Sequence, residues 1–158
     1  MRTAGVFAAG LVTGILVMAL AVWQLMPGMM LTVHESRYGF DKTVEEITKA
    51  VGETQWVMPK VYDLDNSLKQ AGHEDIGNMA ILEICQPHHA YNILKNDEDK
   101  RVTAIMPCRI GVYETRDGRT WISGMNIGLM SRMFGGNIAT VMGGVASEEH
   151  EMFKSIFK

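Results

Sequence analysis

The hydrophobic and polar positions divide the chain into two parts. Residues 4–26 contain no charged side chain, whereas all 18 acidic residues and 14 of the 15 basic residues follow position 33. A helix of this apolar length spans roughly 34 Å, enough to cross a hydrocarbon core of about 30 Å. The rest of the chain mixes apolar and charged positions at strand and helix spacings. We therefore predict an N-terminal transmembrane anchor over 1–28 and a folded domain over 29–158.

The apolar segment has two interpretations. Trp23 near its C-terminal end suits a membrane interface, and Pro27 predicts the end of the helix. A cleavable signal peptide would also begin with a charge such as Arg2 and end at an Ala-x-Ala-like cleavage site such as Ala19-Leu20-Ala21. Because the apolar run continues past residue 21, we favour an uncleaved, single-pass signal anchor in the inner or cell membrane. A short tail before one span then places the domain on the periplasmic side.

The domain alternates between strand-like and helix-like segments. The predicted strands cover residues 31–36, 56–64, 79–85, 102–106, 110–115 and 120–123. Pro59 lacks a backbone donor, which predicts an edge position or a bend for its strand. Asp117-Gly118 is typical of a tight hairpin turn between the last two strands.

Helices are predicted to open near residues 41, 65 and 87, and the region from residue 126 onward is helical. Glycine pairs at 135–136 and 143–144 predict interruptions in that last region, with a final helix opening at Glu148-Glu149. Strands followed by helices in this order predict an α+β domain with one small antiparallel or mixed sheet packed with helices.

The composition of the chain excludes three classes of protein. The chain is 47% hydrophobic with a formal net charge of −3, which argues against disorder. A slightly acidic chain also lacks the basic surface that nucleic-acid binding needs, so no nucleic-acid partner is expected. Two cysteines in 158 residues exclude a disulfide-rich scaffold.

Three short motifs give the domain a family resemblance. They are Cys85-x-Pro87 at the end of one predicted strand, Pro107-Cys108 after the next, and Asp117-Gly118 at the hairpin. Over about residues 30–156 the chain resembles the domain-of-unknown-function family 302. This resemblance implies a small α+β fold, a tendency to form homodimers and no established activity. The family usually has no membrane span, so the anchor departs from the pattern.

Cys85 and Cys108 lie at the ends of successive predicted strands, where one sheet could bring them together. Three interpretations stay open: buried structural thiols, a disulfide in an oxidising periplasm, or a reactive or metal-binding pair. His88 and His89 follow Cys85 at the start of a helix. With both cysteines they would form a sulfur–nitrogen site suited to copper or zinc, and non-covalent haem is a further possibility.

No motif points to conventional catalysis. The sequence contains no phosphate-binding loop, no Gly-x-Ser-x-Gly and no His-Glu-x-x-His. Its 13 methionines follow helical spacings and are expected to fill the core. We therefore predict a membrane-anchored accessory or binding module in a homodimer or larger membrane complex. The alternative is a redox or metal/haem-binding protein that uses the cysteines and histidines above.

Overall fold

The computed structural model describes residues 2–74 and 76–158, with side chains from residue 10 onward. Its strands are β1 (Leu31–Glu35), β2 (Val57–Asp63), β3 (Met79–Cys85), β4 (Cys108–Glu114) and β5 (Thr120–Met125). They form one antiparallel sheet in the order β1-β5-β4-β3-β2. The strand with Pro59 lies at the sheet edge and has a register shift there, as its proline predicts.

Helices precede the sheet, connect its strands and cover one of its faces. They are α1 (Arg2–Met30), α2 (Phe40–Gly52), α3 (Leu64–Gln70), α4 (Pro87–Leu94), α5 (Ile127–Phe134) and α6 (Gly136–Phe153), with a 3₁₀ helix over Asp97–Ile105. The predicted α+β fold is confirmed. So is the β4–β5 hairpin, where Gly118 takes the positive φ of 76° that the turn requires.

The core lies between one face of the sheet and the helices. Alternate residues of a strand point to the same face. Buried apolar side chains of β3, β4 and β5 follow this alternation, among them Leu82, Ile84, Ile110, Val112 and Ile122. They pack with buried residues of the helices, including Ile47, Ile93, Met142, Val145 and Phe153. The same alternation turns Thr32 and His34 of β1 towards this helical side, because they pair with Gly124 and Ile122 of β5.

The strand predicted at 102–106 is wrong, because these residues fall in and just after the 3₁₀ helix. A strand would bury alternate side chains, but Val102 is buried while Ala104 is exposed. Both edges of β4 are already paired, with β3 and β5. Acidic residues at 97–99 favour a helix start, since carboxylates stabilise the first turn.

The apolar helix also extends further than predicted. α1 passes through Pro27 and ends at Met30, where β1 follows without a linker. Its last carbonyls find donors on the domain: Asn126 Nδ2 donates to Met29 O at 3.0 Å, and Asn126 N donates to Met30 O at 2.8 Å. These bonds satisfy helix-end acceptors that would otherwise lack partners.

Within the described residues, the segment Gly10–Met30 of α1 is long and apolar enough to cross a membrane, with a mean hydropathy of 1.8. A signal sequence near an N-terminus would satisfy the same criterion. The side chain of Arg2, on which the signal-peptide alternative depends, lies outside the described side chains.

The C-terminal helices differ from the prediction at one glycine pair. Gly135 and Gly136 separate α5 from α6 with positive φ angles of 70° and 54°, as predicted. α6 instead runs unbroken through residues 143–144, because buried side chains on both sides hold the helix against the core. Glu148-Glu149 therefore lie near the end of α6, and the predicted helix start at these residues is wrong.

Candidate functional site

The two cysteines meet at one end of the sheet, as their spacing predicts. Cys108 pairs with Ile84 of β3, so it lies beside the neighbouring Cys85. Both are free thiols. Together with Trp56 and His89 they line what we call the cysteine cleft, an apolar space of about 20 Å³ with room for about one water molecule.

Burial controls the chemistry of the thiols. It raises the pKa of Cys85, and it raises the pKa of Cys108 to about 12, with smaller contributions from the negative charges of Glu149 and Cys85. The thiolate is the form that acts as nucleophile and metal ligand. Because both thiols stay largely protonated at neutral pH, both cysteines are weak nucleophiles and weak metal ligands there.

The histidines that follow Cys85 have different surroundings. His89 Nε2 donates to Glu148 Oε1 at 2.8 Å, and Trp56 Nε1 donates to Glu148 Oε2 at 3.1 Å. This pairing lowers the pKa of Glu148. His88 is exposed, and its ring centre lies 6.3 Å from that of His89. The structure thus places His89 at the cysteine cleft and His88 outside its lining.

The predicted metal site depends on Cys85, Cys108, His88 and His89 acting together. Among the residues that the structure describes, no group of three or more His, Cys, Asp or Glu side chains is arranged to hold a metal ion. His89 is also already bonded to a carboxylate. The copper, zinc or haem hypothesis for these four residues stays a prediction.

A larger cavity lies on the same side of the sheet, between β1, β5 and α6. We call it the carboxylate cavity; its volume is about 200 Å³. Its polar lining residues are Thr32, His34, Ser123, Asn126, Glu149 and His150. Its apolar lining includes Ile110, Ile122, Phe153 and Phe157. Pockets with a few polar groups on a mainly apolar wall are typical of small-molecule sites.

Glu149 is the unusual group in this cavity. Its Oε2 is shielded from solvent and has no hydrogen-bond partner in the described chain. Its Oε1 lies over the backbone of β5, where a Cβ added to Gly124 would be 3.8 Å away. Burial raises the pKa of Glu149 to about 7. The group is therefore divided between its neutral and charged forms near neutral pH.

Aromatic rings form one wall beside this carboxylate. His34 stacks on Phe157, with 4.2 Å between ring centres and 18° between the planes. His150 lies 6.1 Å from the same phenyl ring. No lysine or arginine is among the described residues that line the cavity. The cavity thus combines a shielded carboxylate with an aromatic surface and lacks a permanent positive charge.

Sequence reasoning missed Glu149, His34 and His150, although the sequence contains a signal for the first. The buried positions of α6 form a stripe at spacings of three, four and eight residues: Ile138, Met142, Val145 and Phe153. Glu149 occupies the gap in that stripe, four residues after one member and four before the next. A glutamate at a core position of an amphipathic helix is a candidate functional group.

Comparison with known proteins places this fold in a family. The family described as "Domain of unknown function DUF302" matches residues 32–157. The chain belongs to the DUF302 family. The resemblance inferred from the cysteine and hairpin motifs is therefore confirmed, and the family has no established activity. The match includes both the cysteine cleft and the carboxylate cavity, and it begins after α1.

A solved structure shows the same fold. The crystal structure of an uncharacterized conserved protein DUF302 from Bacillus stearothermophilus has a TM-score of 0.72. The similarity covers 81% of this chain and 98% of that chain, at 19% sequence identity. At this identity the likeness concerns the fold alone. None of the curated proteins compared with the chain matches it.

Proposed function

We propose that this DUF302 protein is a membrane-tethered binding module whose carboxylate cavity takes a small ligand. The observation that carries this proposal is the shielded, unpartnered Oε2 of Glu149 in a cavity of about 200 Å³. Folded proteins rarely leave a buried polar atom without a partner, because the lost solvation costs about 1–3 kcal/mol. A hydrogen-bond donor on a ligand would pair with this carboxylate, which lines the cavity.

The tether is supported by the character of α1. Between residues 10 and 30 its side chains are exposed and, apart from Thr13 and Gln24, apolar, with Leu16 59% and Trp23 80% exposed. A surface helix in water carries a polar face, whereas a membrane helix is apolar all round. The direct junction with β1 and the two bonds from Asn126 would hold the domain close to the membrane surface.

We propose that the domain lies on the periplasmic side and works as a homodimer or within a larger membrane complex. Apolar side chains near both edges of the sheet support an association surface: Val33 is 48% exposed, and Val57 and Val61 are each 45% exposed. Edge strands also carry free backbone groups that can pair with another chain. Extraction in mild detergent followed by native mass measurement should recover a dimer or complex, and a clean monomer would contradict this part.

Ligand binding can be tested with small aromatic fragments on the full chain in detergent. We expect saturation-transfer NMR to detect binding of at least one of phenol, benzamide, benzyl alcohol and benzylamine. Gly124→Val should abolish it, because the added side chain enters the cavity over Glu149 Oε1. Gly143→Val is the matched control, since nothing lies within 4 Å of its added Cβ. If no fragment binds, or if binding survives Gly124→Val, the cavity is not a ligand site.

The tether has its own test. Leu16→Arg places a charge inside the apolar segment, at a cost of about 2.5–3.5 kcal/mol for insertion. We expect this variant to shift from the membrane fraction to the soluble fraction, while Leu16→Ala stays in the membrane. Loss of the full chain from membranes at high pH and high salt would show that α1 does not span them.

The redox or metal hypothesis stays as a second candidate because Cys85, Cys108 and His89 share one cleft. Protein purified from metal-replete cells should then carry copper, zinc or haem in near-stoichiometric amount. Cys85→Ser and His89→Ala should remove it. Metal-free and haem-free protein would exclude this candidate.

A further inference from the structure

The partners of other carboxylates in this protein show what Glu149 lacks. Glu83 Oε1 accepts from Arg109, and Asp65 Oδ2 accepts from Lys69 at 2.7 Å. Both acidic groups have a cationic side chain beside them. For Glu149 no Lys or Arg lies along the described cavity wall, and its Oε2 has no donor. A permanent positive charge beside this carboxylate would therefore have to come from outside the described lining.

The aromatic wall beside the carboxylate also suits a cation. The face of an aromatic ring attracts ammonium groups through its negative quadrupole. Phe153 and Phe157 line the cavity, and the stacked His34 holds the second ring in place. The hydroxyl of Thr32 faces the same space and can accept a further N–H bond.

Size limits the ligand to a compact molecule. The cavity of about 200 Å³ is somewhat larger than a cavity of about 150 Å³ that holds benzene. A benzene-sized body with one short polar arm therefore fits, whereas a nucleotide or a drug-sized cofactor does not.

We infer that the carboxylate cavity selects small organic cations: the ligand's ammonium group donates to the carboxylate of Glu149, and its apolar body lies against Phe153 and Phe157. This inference rests on the proposed ligand-binding function and specifies the class of ligand. Binding forms no covalent bond.

The inference has a consequence for protons. The neutral form of Glu149 cannot pair with a cation, so binding requires the charged form. Because the pKa of Glu149 is about 7, cation binding should release a proton in slightly acidic solution. Three other titratable groups lie near this carboxylate: His34 and His150 line the cavity, and Cys108 approaches it from β4. Protonated imidazoles would repel the ligand, so their variants are needed as controls.

Calorimetry on the full chain in detergent tests the inference with three benzene-sized probes. Benzylamine carries the cation, benzyl alcohol is its neutral analogue and benzoate is an anion. At pH 8 we expect benzylamine to bind at least about tenfold more tightly than benzyl alcohol, with no measurable binding of benzoate. Between pH 8 and pH 6 its affinity should fall by about tenfold, as Glu149 takes up its proton.

Variants assign this effect to one residue. Glu149→Gln should remove both the preference for benzylamine and most of the pH dependence, whereas Glu148→Gln should change neither. His34→Asn and His150→Asn should keep the pH dependence. The wild-type protein gives a second measurement that needs no variant: the binding heat at pH 6 should vary with the ionisation enthalpy of the buffer, because a proton is released.

The outcomes separate the ligand class from the function itself. Equal binding of benzylamine and benzyl alcohol, or tighter binding of benzoate, would overturn the cation inference while leaving a ligand-binding cavity. Binding of benzylamine without proton release, or with an unchanged preference in Glu149→Gln, would overturn it as well. Failure of every aromatic fragment would instead overturn the proposed function and this inference together.

Discussion

Glu148 and Glu149 are neighbours on α6, yet their carboxylates have opposite surroundings. Glu148 accepts hydrogen bonds from Trp56 and His89, which lower its pKa. Glu149 has a shielded oxygen with no partner in the described chain, and its pKa is raised to about 7. Successive helix residues point about 100° apart, so one reaches the cysteine cleft and the other the carboxylate cavity. A glutamate is thus part of a structural hydrogen-bond network at position 148, and at position 149 it is available to bind a ligand.

The difference between the two regions lies in hydrogen bonding and in space. The cysteine cleft holds about 20 Å³, and the imidazole and indole beside it already have a partner. The carboxylate cavity holds about 200 Å³ and contains an unpaired polar atom. The cysteine cleft contains the more reactive residue types but has little room for a ligand. The carboxylate cavity has room for one and contains a carboxylate with an unsatisfied hydrogen-bond acceptor.

The largest expected effect concerns the thiol between the two regions. With a pKa of about 12, Cys108 should form about a thousandfold less thiolate than a thiol of ordinary pKa 9.0. Iodoacetamide at pH 8, followed by quenching and peptide mass analysis, should therefore modify Cys85 before Cys108. In denaturant both should react at similar rates.

Two results would contradict this prediction. Rapid labelling of Cys108 in the folded protein would show that the cleft is open. Labelling of neither cysteine until a reductant is added would instead show a disulfide. That result would also support an oxidising compartment for the domain.

The second prediction concerns the unpaired carboxylate. Because folding raises the pKa of Glu149 from 4.5 to about 7, the folded state is favoured when Glu149 is protonated. This contribution is complete below pH 4.5 and is lost as the pH rises to about 7. Glu149→Gln should therefore raise the free energy of unfolding at pH 8 by up to about 3 kcal/mol, with little change at pH 4.

Urea unfolding of the wild type and Glu149→Gln at both pH values measures this difference. A destabilised Glu149→Gln protein at pH 8 would contradict the environment described for Glu149. It would show that the charged carboxylate has a stabilising partner.

Part of the fold could be predicted from the sequence. The strands at 79–85 and 120–123 and the Asp117-Gly118 turn were predictable because local spacing determines them. The segment at 102–106 was not, since its β-branched and apolar residues suit a strand, whereas in the structure most of it belongs to a 3₁₀ helix that buries Val102. That choice depends on how the segment packs against the rest of the domain and cannot be derived locally.

The candidate site was harder to predict for a related reason. Cys85, Cys108 and His89 were correctly brought together, because adjacent strand ends meet at one edge of a sheet. Glu149 was missed because a break was expected at the glycines of 143–144, which placed the glutamates at an exposed helix start. Whether an acidic residue is shielded depends on the register of α6 against the sheet. The composition of its own segment does not determine this.

The third prediction reverses the sign of the second. Because its partners lower the pKa of Glu148, this carboxylate stabilises the fold above pH 4.5, and the contribution is lost as the pH falls below that value. Glu148→Gln should lower the free energy of unfolding at pH 7 by about 0.5–1 kcal/mol, since the side chain is partly exposed. At pH 3 the variant and the wild type should be equally stable. A stabilising effect at pH 7 would mean that the two glutamates do not differ as described.

The smallest effect distinguishes the two histidines. His88 is exposed and lies outside the cleft lining, so His88→Ala should change the free energy of unfolding by less than about 0.5 kcal/mol. His89 is bonded to Glu148, so His89→Ala and Glu148→Gln should show a coupling of about 0.5 kcal/mol in a double-mutant cycle. The corresponding cycle with His88 should show none. Coupling of His88 to Glu148 or to Cys85 would instead indicate that both imidazoles turn towards the cleft, the arrangement that a metal site would need.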